Sequence, residues 1–230
     1  MVPSSSNAAK VTVRHLLDMS SGIGDFFGDR YESTPKGRIR DLADYLQLFG
    51  SEPLAFTPGT SNAYSNGGYV VLGMIVEKAS GQDYFDYVRE HICVPAGMES
   101  TEHLEADVPA RSVASGYTRD WDGKQHQGEP RRNNIYTRPA RGSSAGGGYS
   151  TADDLLKLVV ALKAGLLGAP DVSRSVAESG AAVAGGAPGI NAYLETLPKS
   201  GHVVAVLSNY DPPAAMNVGR TISGLVKRLK

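Results

Sequence analysis

Apolar residues recur with helical spacing in several stretches, each bounded by residues that start or stop helices. The most apolar of these, residues 69–76, runs towards Ser80-Gly81, a typical helix stop, and predicts a buried helix. Thr12 is a good N-cap for a short early helix, and Ser150 or Thr151 for a later one. The remaining predicted helices cover residues 12–19, 38–49, a stretch from 83 to 92, 152–164 and 214–229.

Alternating apolar and polar residues near the C-terminus predict an antiparallel hairpin. Its strands cover residues 190–197 and 202–208, joined by a turn at 198–201. A short strand is predicted at residues 113–117, and a turn at Asp122-Gly123. Residues 124–141 are polar and are expected to form a surface loop, and residues 168–183 show little periodicity. We therefore expect an α+β fold with one partial domain over 1–230: residues 11–185 mainly helical, and 186–230 the hairpin plus a C-terminal helix.

Composition narrows the possible functions. Lys+Arg 23 against Asp+Glu 24 gives a net charge of -1 without a basic stripe, so we expect no nucleic-acid partner. Cys93 is the only cysteine and lies in an apolar run, which excludes an internal disulfide and favours a buried structural thiol. The five histidines have no metal-ligand spacing, and we expect neither a metal site nor a cofactor.

The sequence also bears on location. It contains no stretch long and apolar enough for a transmembrane helix, and no signal-peptide core at its start. We expect a cytoplasmic protein with no membrane partner, unless an original leader lay ahead of Met1. The sequence does not indicate an oligomeric state.

Tyr64-Ser65-Asn66 is the most suggestive triplet for catalysis. It follows the turn Thr57-Pro58-Gly59 and precedes the predicted buried helix, which would hold two polar side chains still on a loop. A phenol near a cation can act as a general base, and an asparagine amide can orient a substrate carbonyl or a lysine. The triplet alone equally fits a tyrosine packed on the core beside an asparagine in the left-handed conformation.

Longer segments around the triplet carry a family resemblance. Residues 56–81, FTPGTSNAYSNGGYVVLGMIVEKASG, and the PAGMEST segment ending at 101 resemble the middle of the serine β-lactamase-like family. That family includes class C β-lactamases, penicillin-binding DD-peptidases, D-aminopeptidases and related esterases. The segments at 11–23, 145–155, 185–191 and 209–213 resemble its other blocks in the expected order.

The resemblance implies serine hydrolysis of a small amide or ester through an acyl-enzyme. A Ser-x-x-Lys helix supplies the nucleophile, and the tyrosine of Tyr-x-Asn moves the proton, which assigns Tyr64 and Asn66 as catalytic. A third motif, Lys-Thr-Gly or a His-Gly-Gly-like variant on a strand, supports the oxyanion. Its counterpart here is the substrate-binding segment Gly185, Gly186 and Ala187, but Val183 stands where the family block has a histidine.

The nucleophile motif is the main departure from the family. It should precede residue 11 by several tens of residues, yet only ten residues lie there. Ser33-Thr-Pro-Lys36 has the right spacing but falls after the Ser-Gly-Ile block, in an expected loop, and we interpret it as coincidence. We therefore expect an N-terminally truncated β-lactamase/transpeptidase-like fold that lacks its first strands and nucleophile helix, with hydrolase activity impaired or absent.

Two alternatives remain open. One is a non-catalytic penicillin-fold protein that binds a ligand or partner. The other is an α/β-hydrolase-type esterase using Ser144, since residues 142–146 fit Gly-x-Ser-x-Gly and Asp171 and His202 follow in the required order. The segment before Ser144 contains a proline and two arginines, which is unfavourable for the central strand that this motif needs.

Overall fold

The structure, a computed structural model, describes residues 8–110, 112–168 and 170–228. The predicted α+β class is confirmed by helices together with a three-stranded antiparallel sheet. The chain forms two compact units, each of which draws on separated segments. Unit 1 contains the residues up to 87, His103–Val108 and Pro139–Gly148; unit 2 contains Val88–Glu102, Pro109–Arg138 and the residues from 149 onward. The predicted single partial domain over 1–230 stays a prediction.

Unit 1 is helical. Its helices are α1 (Val13–Leu17), α2 (Asp29–Ser33), α3 (Leu42–Phe49), α4 (Asn66–Ser80) and α5 (Tyr84–Val88), the last ending at the unit boundary, with 3-10 turns at Ala8–Lys10 and Lys36–Arg38. The predicted helix over 38–49 begins four residues later, at Leu42, because the Asp41 side chain accepts a hydrogen bond from the backbone N–H of Asp44 and caps it there. Similarly, α1 is capped by Thr12 but ends at Leu17, two residues before Met19, whose φ of 61° is left-handed.

Helix α4 runs through the core of unit 1. Ser65 caps its first turn. Gly81, with φ of 73°, ends it, as predicted from the sequence. Val70 is completely buried, and α4 packs on α1 and α3. The core around it consists of buried side chains from the first half of the chain: Leu16, Ile23, Phe26, Tyr31, Ile39, Leu42, Tyr45, Leu48 and Phe49.

Unit 2 contains the sheet and the remaining helices. The helices are α6 (Val94–Ala96), which follows a π-helical turn at Arg89–Cys93, α7 (Ala152–Lys163), α8 (Pro170–Glu178) and α9 (Ala214–Val226), with a 3-10 turn at Asn134–Tyr136. The strands are β1 (Tyr117–Thr118) paired with β2 (Arg132–Asn133), and the sheet β3 (Ala182–Ala187), β4 (Ile190–Leu197) and β5 (His202–Ser208) in that order.

The predicted hairpin is confirmed, with Asn191 opposite Ser208 and Leu197 opposite His202. The predicted strand over 113–117 is limited to its last residue, in β1. Strand β3 and helix α8 were not predicted from the pattern of apolar and polar residues. The alanines and glycines of β3 give no alternating pattern. Helix α8 is amphipathic, but it is only nine residues long and most of them are polar, so its periodicity was missed. The last predicted residue of the C-terminal helix, 229, lies outside the described residues.

Helix α9 is held against β4 by a close fit and a polar cluster. A Cβ at Gly219 would overlap the ring of Tyr193, so glycine allows the helix to lie directly on that ring. The Tyr193 hydroxyl donates to Glu195 at 2.6 Å, and Lys227 Nζ donates to the same carboxylate at 2.8 Å. The hydrogen bond from Lys227 is the main cause that lowers the pKa of Glu195 to about 2.

We predict that Gly219→Ala destabilises the protein by about 1–3 kcal/mol, because the added methyl group forces Tyr193 or the helix to move. Gly224→Ala in the same helix is the matched control. A Cβ there meets no atom within 4 Å, so alanine should stabilise the helix by about 0.5–1 kcal/mol. Urea denaturation measures both changes, and equal effects of the two substitutions would contradict the close fit at Gly219.

Candidate functional site

Tyr64 lies on the loop immediately before α4, as the sequence predicts, and its side chain is exposed. It is 72% accessible, and its hydroxyl donates a hydrogen bond to Asn66 Oδ1 at 3.1 Å. Asn66 is the first residue of α4. The alternative of a tyrosine packed on the core beside a left-handed asparagine is therefore wrong, and the two predicted catalytic side chains contact each other. Their catalytic role stays a prediction.

The triplet is fixed to the segment that begins at Gly24. The Ser65 hydroxyl accepts the N–H of Gly68 at 2.8 Å and donates to the carbonyl of Gly24 at 3.0 Å. The Asn66 side chain donates through Nδ2 to Asp25 Oδ2 at 2.7 Å. Sequence reasoning missed Asp25. It belongs to no periodic pattern or motif, and its separation of 41 residues from Asn66 leaves only the fold to bring them together.

The loop that leads to Tyr64 is also held by its backbone. Three hydrogen bonds of 2.8–2.9 Å tie it to the segment after α1: Ala55 N–H to the Gly22 carbonyl, Gly59 N–H to the Ser20 carbonyl, and Ala63 N–H to the Met19 carbonyl. Gly22 has φ of 76°, and a Cβ there would overlap the carbonyl of Phe56. The two segments therefore approach closely only because glycine occupies this position.

We predict that Gly22→Ala destabilises the protein by roughly 2–4 kcal/mol, because it combines an unfavourable φ with the overlap on Phe56. Gly37→Ala is the control, since a Cβ there meets no atom within 4 Å. Guanidinium denaturation of both variants tests the expectation. A Gly22→Ala variant as stable as Gly37→Ala would show that the close approach does not constrain the loop.

Ser33 and Lys36 do not form a serine–lysine pair. Ser33 ends α2 and donates to the carbonyl of Asp29 at 2.7 Å. Lys36 begins a 3-10 turn, and its ammonium donates to the carbonyls of Tyr31 and Thr34. The two residues thus lie on different elements, which agrees with interpreting this spacing as coincidence. Burial is the main cause that lowers the pKa of Lys36.

Ser144 has the wrong geometry for an α/β-hydrolase nucleophile. Ser143 and Gly146 exchange backbone hydrogen bonds of 2.7 and 3.0 Å around it, so the motif forms a tight turn and does not join a strand to a helix. The Ser144 hydroxyl donates to the carbonyl of Tyr69 at 2.7 Å, and its side chain lies where a Cβ on Gly73 would be. The Ser144 alternative is therefore wrong, and this serine supports α4.

The predicted substrate-binding residues Gly185, Gly186 and Ala187 all lie on β3, the edge strand next to β4. Asn191 Nδ2 donates to the carbonyl of Gly185 at 2.7 Å. Val183 is on the same strand and is 62% accessible. The segment thus has the strand conformation that the third family motif requires, and its substrate-binding role stays a prediction.

His103 is the most perturbed histidine of unit 1. Its ring lies 4.9 Å from that of Phe85, and Arg141 Nε donates to the His103 carbonyl at 2.9 Å. Burial first, and Arg141 second, lower the pKa of His103 to about 4, whereas Asp83 opposes the shift. In the unfolded chain this histidine binds a proton at about pH 6.5. Between pH 6.5 and 4 the unfolded state therefore binds more protons, and stability falls as the pH falls.

The wild-type protein should lose unfolding free energy between pH 7 and pH 4.5. We predict that this loss is about 1–2 kcal/mol smaller in His103→Phe. Denaturation curves at both pH values give the loss for each variant, so a packing change that is independent of pH cancels. Exposed His202→Phe is the control and should keep the wild-type pH dependence. An unchanged pH dependence in His103→Phe would contradict the burial of a neutral imidazole.

Among the described residues, no group of three His, Cys, Asp or Glu side chains is placed to hold a metal ion. Within the same ranges, no helix has the length and apolar character needed to span a membrane. Cys93 is buried as predicted, and burial is the main cause that raises the pKa of its thiol.

Comparison with known proteins gives a consistent result. The family described as Beta-lactamase matches residues 2–183. A penicillin-binding protein of Bacillus subtilis is 40% identical over 115 residues, which are 48% of this chain and 26% of that protein. The esterase EstB of Burkholderia gladioli is 30% identical over 176 residues, 67% of this chain and 45% of the esterase. The curated relatives with the strongest matches are thus aligned over only about a quarter of their length.

Solved structures share the fold. A penicillin-binding protein from Bacillus halodurans superposes with a TM-score of 0.83 at 30% identity, covering 94% of this chain and 72% of that one. A D-amino acid amidase from Ochrobactrum anthropi, in complex with D-phenylalanine, superposes with a TM-score of 0.77 at 21% identity, covering 98% and 75%. The fold is therefore β-lactamase/transpeptidase-like, as predicted.

Proposed function

The chain belongs to the β-lactamase family, and on that premise we propose that Tyr64 and Asn66 form the proton-handling side of a serine hydrolase site. The reaction is hydrolysis of a small amide or ester through an acyl-enzyme. Relatives described as a penicillin-binding protein, an esterase and a D-amino acid amidase support this substrate class.

One observation carries the proposal. The Tyr64 side chain is exposed, yet its hydroxyl has a defined partner in Asn66, in the first turn of helix α4, where the helix packs into the core. An exposed tyrosine without a role gains little from such support, whereas a proton-transfer group must be held within hydrogen-bond reach of its partners. Asn66 can also present a second amide hydrogen to a substrate carbonyl, since Nδ2 has two hydrogens and Asp25 takes one.

The chemistry requires a serine and a cation beside Tyr64. In acylation the serine oxygen bonds to the substrate carbonyl carbon, and its proton passes through the Tyr64 oxygen to the leaving nitrogen or oxygen. Water then attacks the carbonyl carbon of the acyl-enzyme, and the bond from that carbon to the serine oxygen breaks, which releases the carboxylic acid. The proton that water loses passes through the Tyr64 oxygen back to the serine. Tyr64 loses its own proton only when a nearby cation stabilises the phenolate. The lysine of Ser-x-x-Lys supplies that cation.

The 230-residue polypeptide alone lacks that pair in a usable form. Its one Ser-x-x-Lys spacing, Ser33–Lys36, spans two elements, and both side chains bind nearby carbonyls. A base without a nucleophile cannot transfer an acyl group. We therefore propose that this polypeptide is impaired as a hydrolase, and that the active form is one in which a Ser-x-x-Lys helix precedes residue 11.

We predict no turnover of nitrocefin or p-nitrophenyl butyrate by the purified 230-residue protein and no covalent adduct with a fluorescent penicillin. If the source DNA encodes Ser-x-x-Lys in frame upstream, the longer polypeptide should hydrolyse at least one substrate. Tyr64→Phe in that polypeptide should lower kcat/KM by about 10²–10⁴-fold through loss of proton transfer.

Exposed Tyr136→Phe is the matched control and should keep full activity. Turnover by the 230-residue protein that disappears in Tyr64→Phe would contradict the proposed impairment. Binding of a penicillin without turnover by the longer polypeptide would favour the non-catalytic binding protein.

A further inference from the structure

Asp25 contacts the predicted catalytic pair from a separate segment of unit 1. Its Oδ2 accepts Asn66 Nδ2 at 2.7 Å and lies 3.4 Å from the backbone nitrogen of Asn66, which also donates to it. Its Oδ1 accepts the backbone N–H of Phe27 at 3.1 Å. Both carboxylate oxygens are therefore engaged, one by Asn66 and one by Phe27, and the carboxylate plane cannot rotate without losing a hydrogen bond.

The backbone places Asp25 there with little freedom. A Cβ on Gly67 would overlap the carbonyl of Gly24, so the first turn of α4 lies directly against the residue before Asp25. The Ser65 hydroxyl donates to that same carbonyl. Asp25 and Asn66 are thus brought together by the close approach of their neighbours and not by a flexible surface contact.

The carboxylate determines which way the Asn66 amide faces. An ionised carboxylate only accepts hydrogen bonds, so the NH₂ group of Asn66 must point to Asp25. The amide oxygen then points away from Asp25, and it is this oxygen that accepts the Tyr64 hydroxyl. A neutral partner at position 25 that both donates and accepts would not distinguish the two orientations.

We propose that Asp25 is a positioning residue, which holds the Asn66 amide with its oxygen towards Tyr64 and its second N–H free for a substrate carbonyl. The catalytic meaning of this arrangement rests on the proposed function, whereas the orientation itself does not. Asp25 acts through Asn66: the structure gives it hydrogen bonds to Asn66 and Phe27, and we assign it no direct part in the reaction.

The test is NMR of the 230-residue protein labelled with ¹⁵N-asparagine, with the Asn66 side-chain signals identified by their loss in Asn66→Gln. In the wild type, the Asn66 amide protons should show stronger NOEs to Asp25 Hβ than to the Tyr64 ring. In Asp25→Asn the single carboxamide oxygen cannot serve both Phe27 and Asn66. The two amide proton shifts should then move closer together, and the NOEs to the Tyr64 ring should become stronger.

Asp29→Asn is the matched control. It removes the same charge from an exposed position four residues along, and the Asn66 signals should keep their wild-type shifts. Wild-type NOEs from the Asn66 amide protons that are stronger to the Tyr64 ring than to Asp25 Hβ would overturn the inference, even if the Asp25 variant does not fold. Unchanged Asn66 signals in a folded Asp25→Asn variant would overturn it as well.

A ligand measurement separates this inference from the proposed function. Benzylpenicillin, titrated into the same labelled protein, should shift the Asn66 amide signals, and its Kd should increase roughly tenfold in Asp25→Asn but not in Asp29→Asn. If the wild-type 230-residue protein does not bind benzylpenicillin, the claim that this polypeptide alone presents Asn66 to a carbonyl ligand fails. The proposed function is then decided by turnover of the longer polypeptide, and the NOEs still decide the orientation. Equal Kd values for wild type and Asp25→Asn would contradict the role of Asp25 in presenting the second N–H.

Discussion

The close approach of the first turn of α4 to Gly24 is the constraint on which the candidate site depends. Gly67 has no room for a Cβ, because the Gly24 carbonyl and the ring of Phe49 occupy that space. This contact lets Ser65 act in two ways, as the N-cap of α4 and as a donor to Gly24. The backbone positions of Tyr64 and Asn66 follow from it.

The burial of α4 makes that arrangement rigid. Val70, one turn into the helix, is fully buried, and a buried valine of this kind contributes about 1.5–3 kcal/mol to stability. Tyr64 comes just before the buried part of the helix, and its side chain is exposed. The chemical groups therefore face solvent while their backbone belongs to the core of unit 1, an arrangement suited to holding reactive side chains still.

The sequence predicts the elements whose signals are local. Gly81 as the end of α4, Thr151 as the cap of α7 and the hairpin turn at 198–201 all follow from residue types at fixed positions. Helix boundaries were less accurate: Asp41 caps α3, which therefore begins at Leu42, four residues into the predicted stretch. Strand β3 could not be predicted from periodicity, since its alanines and glycines form a strand through pairing with β4.

The residues of the candidate site were also only partly predictable from the sequence. Tyr64 lies on the loop before α4, as predicted, whereas Asn66 is already the first residue of that helix. Asp25 and the Gly24 contact depend on packing between distant segments. The most direct test of the account is amide hydrogen exchange in the 230-residue protein. Ala63 and Gly68 should exchange as slowly as the buried turns of α4, because their N–H groups bind Met19 and Ser65. Exchange of both amides at the rate of an unfolded chain, with α4 still protected, would contradict the claim that the core holds the tyrosine loop.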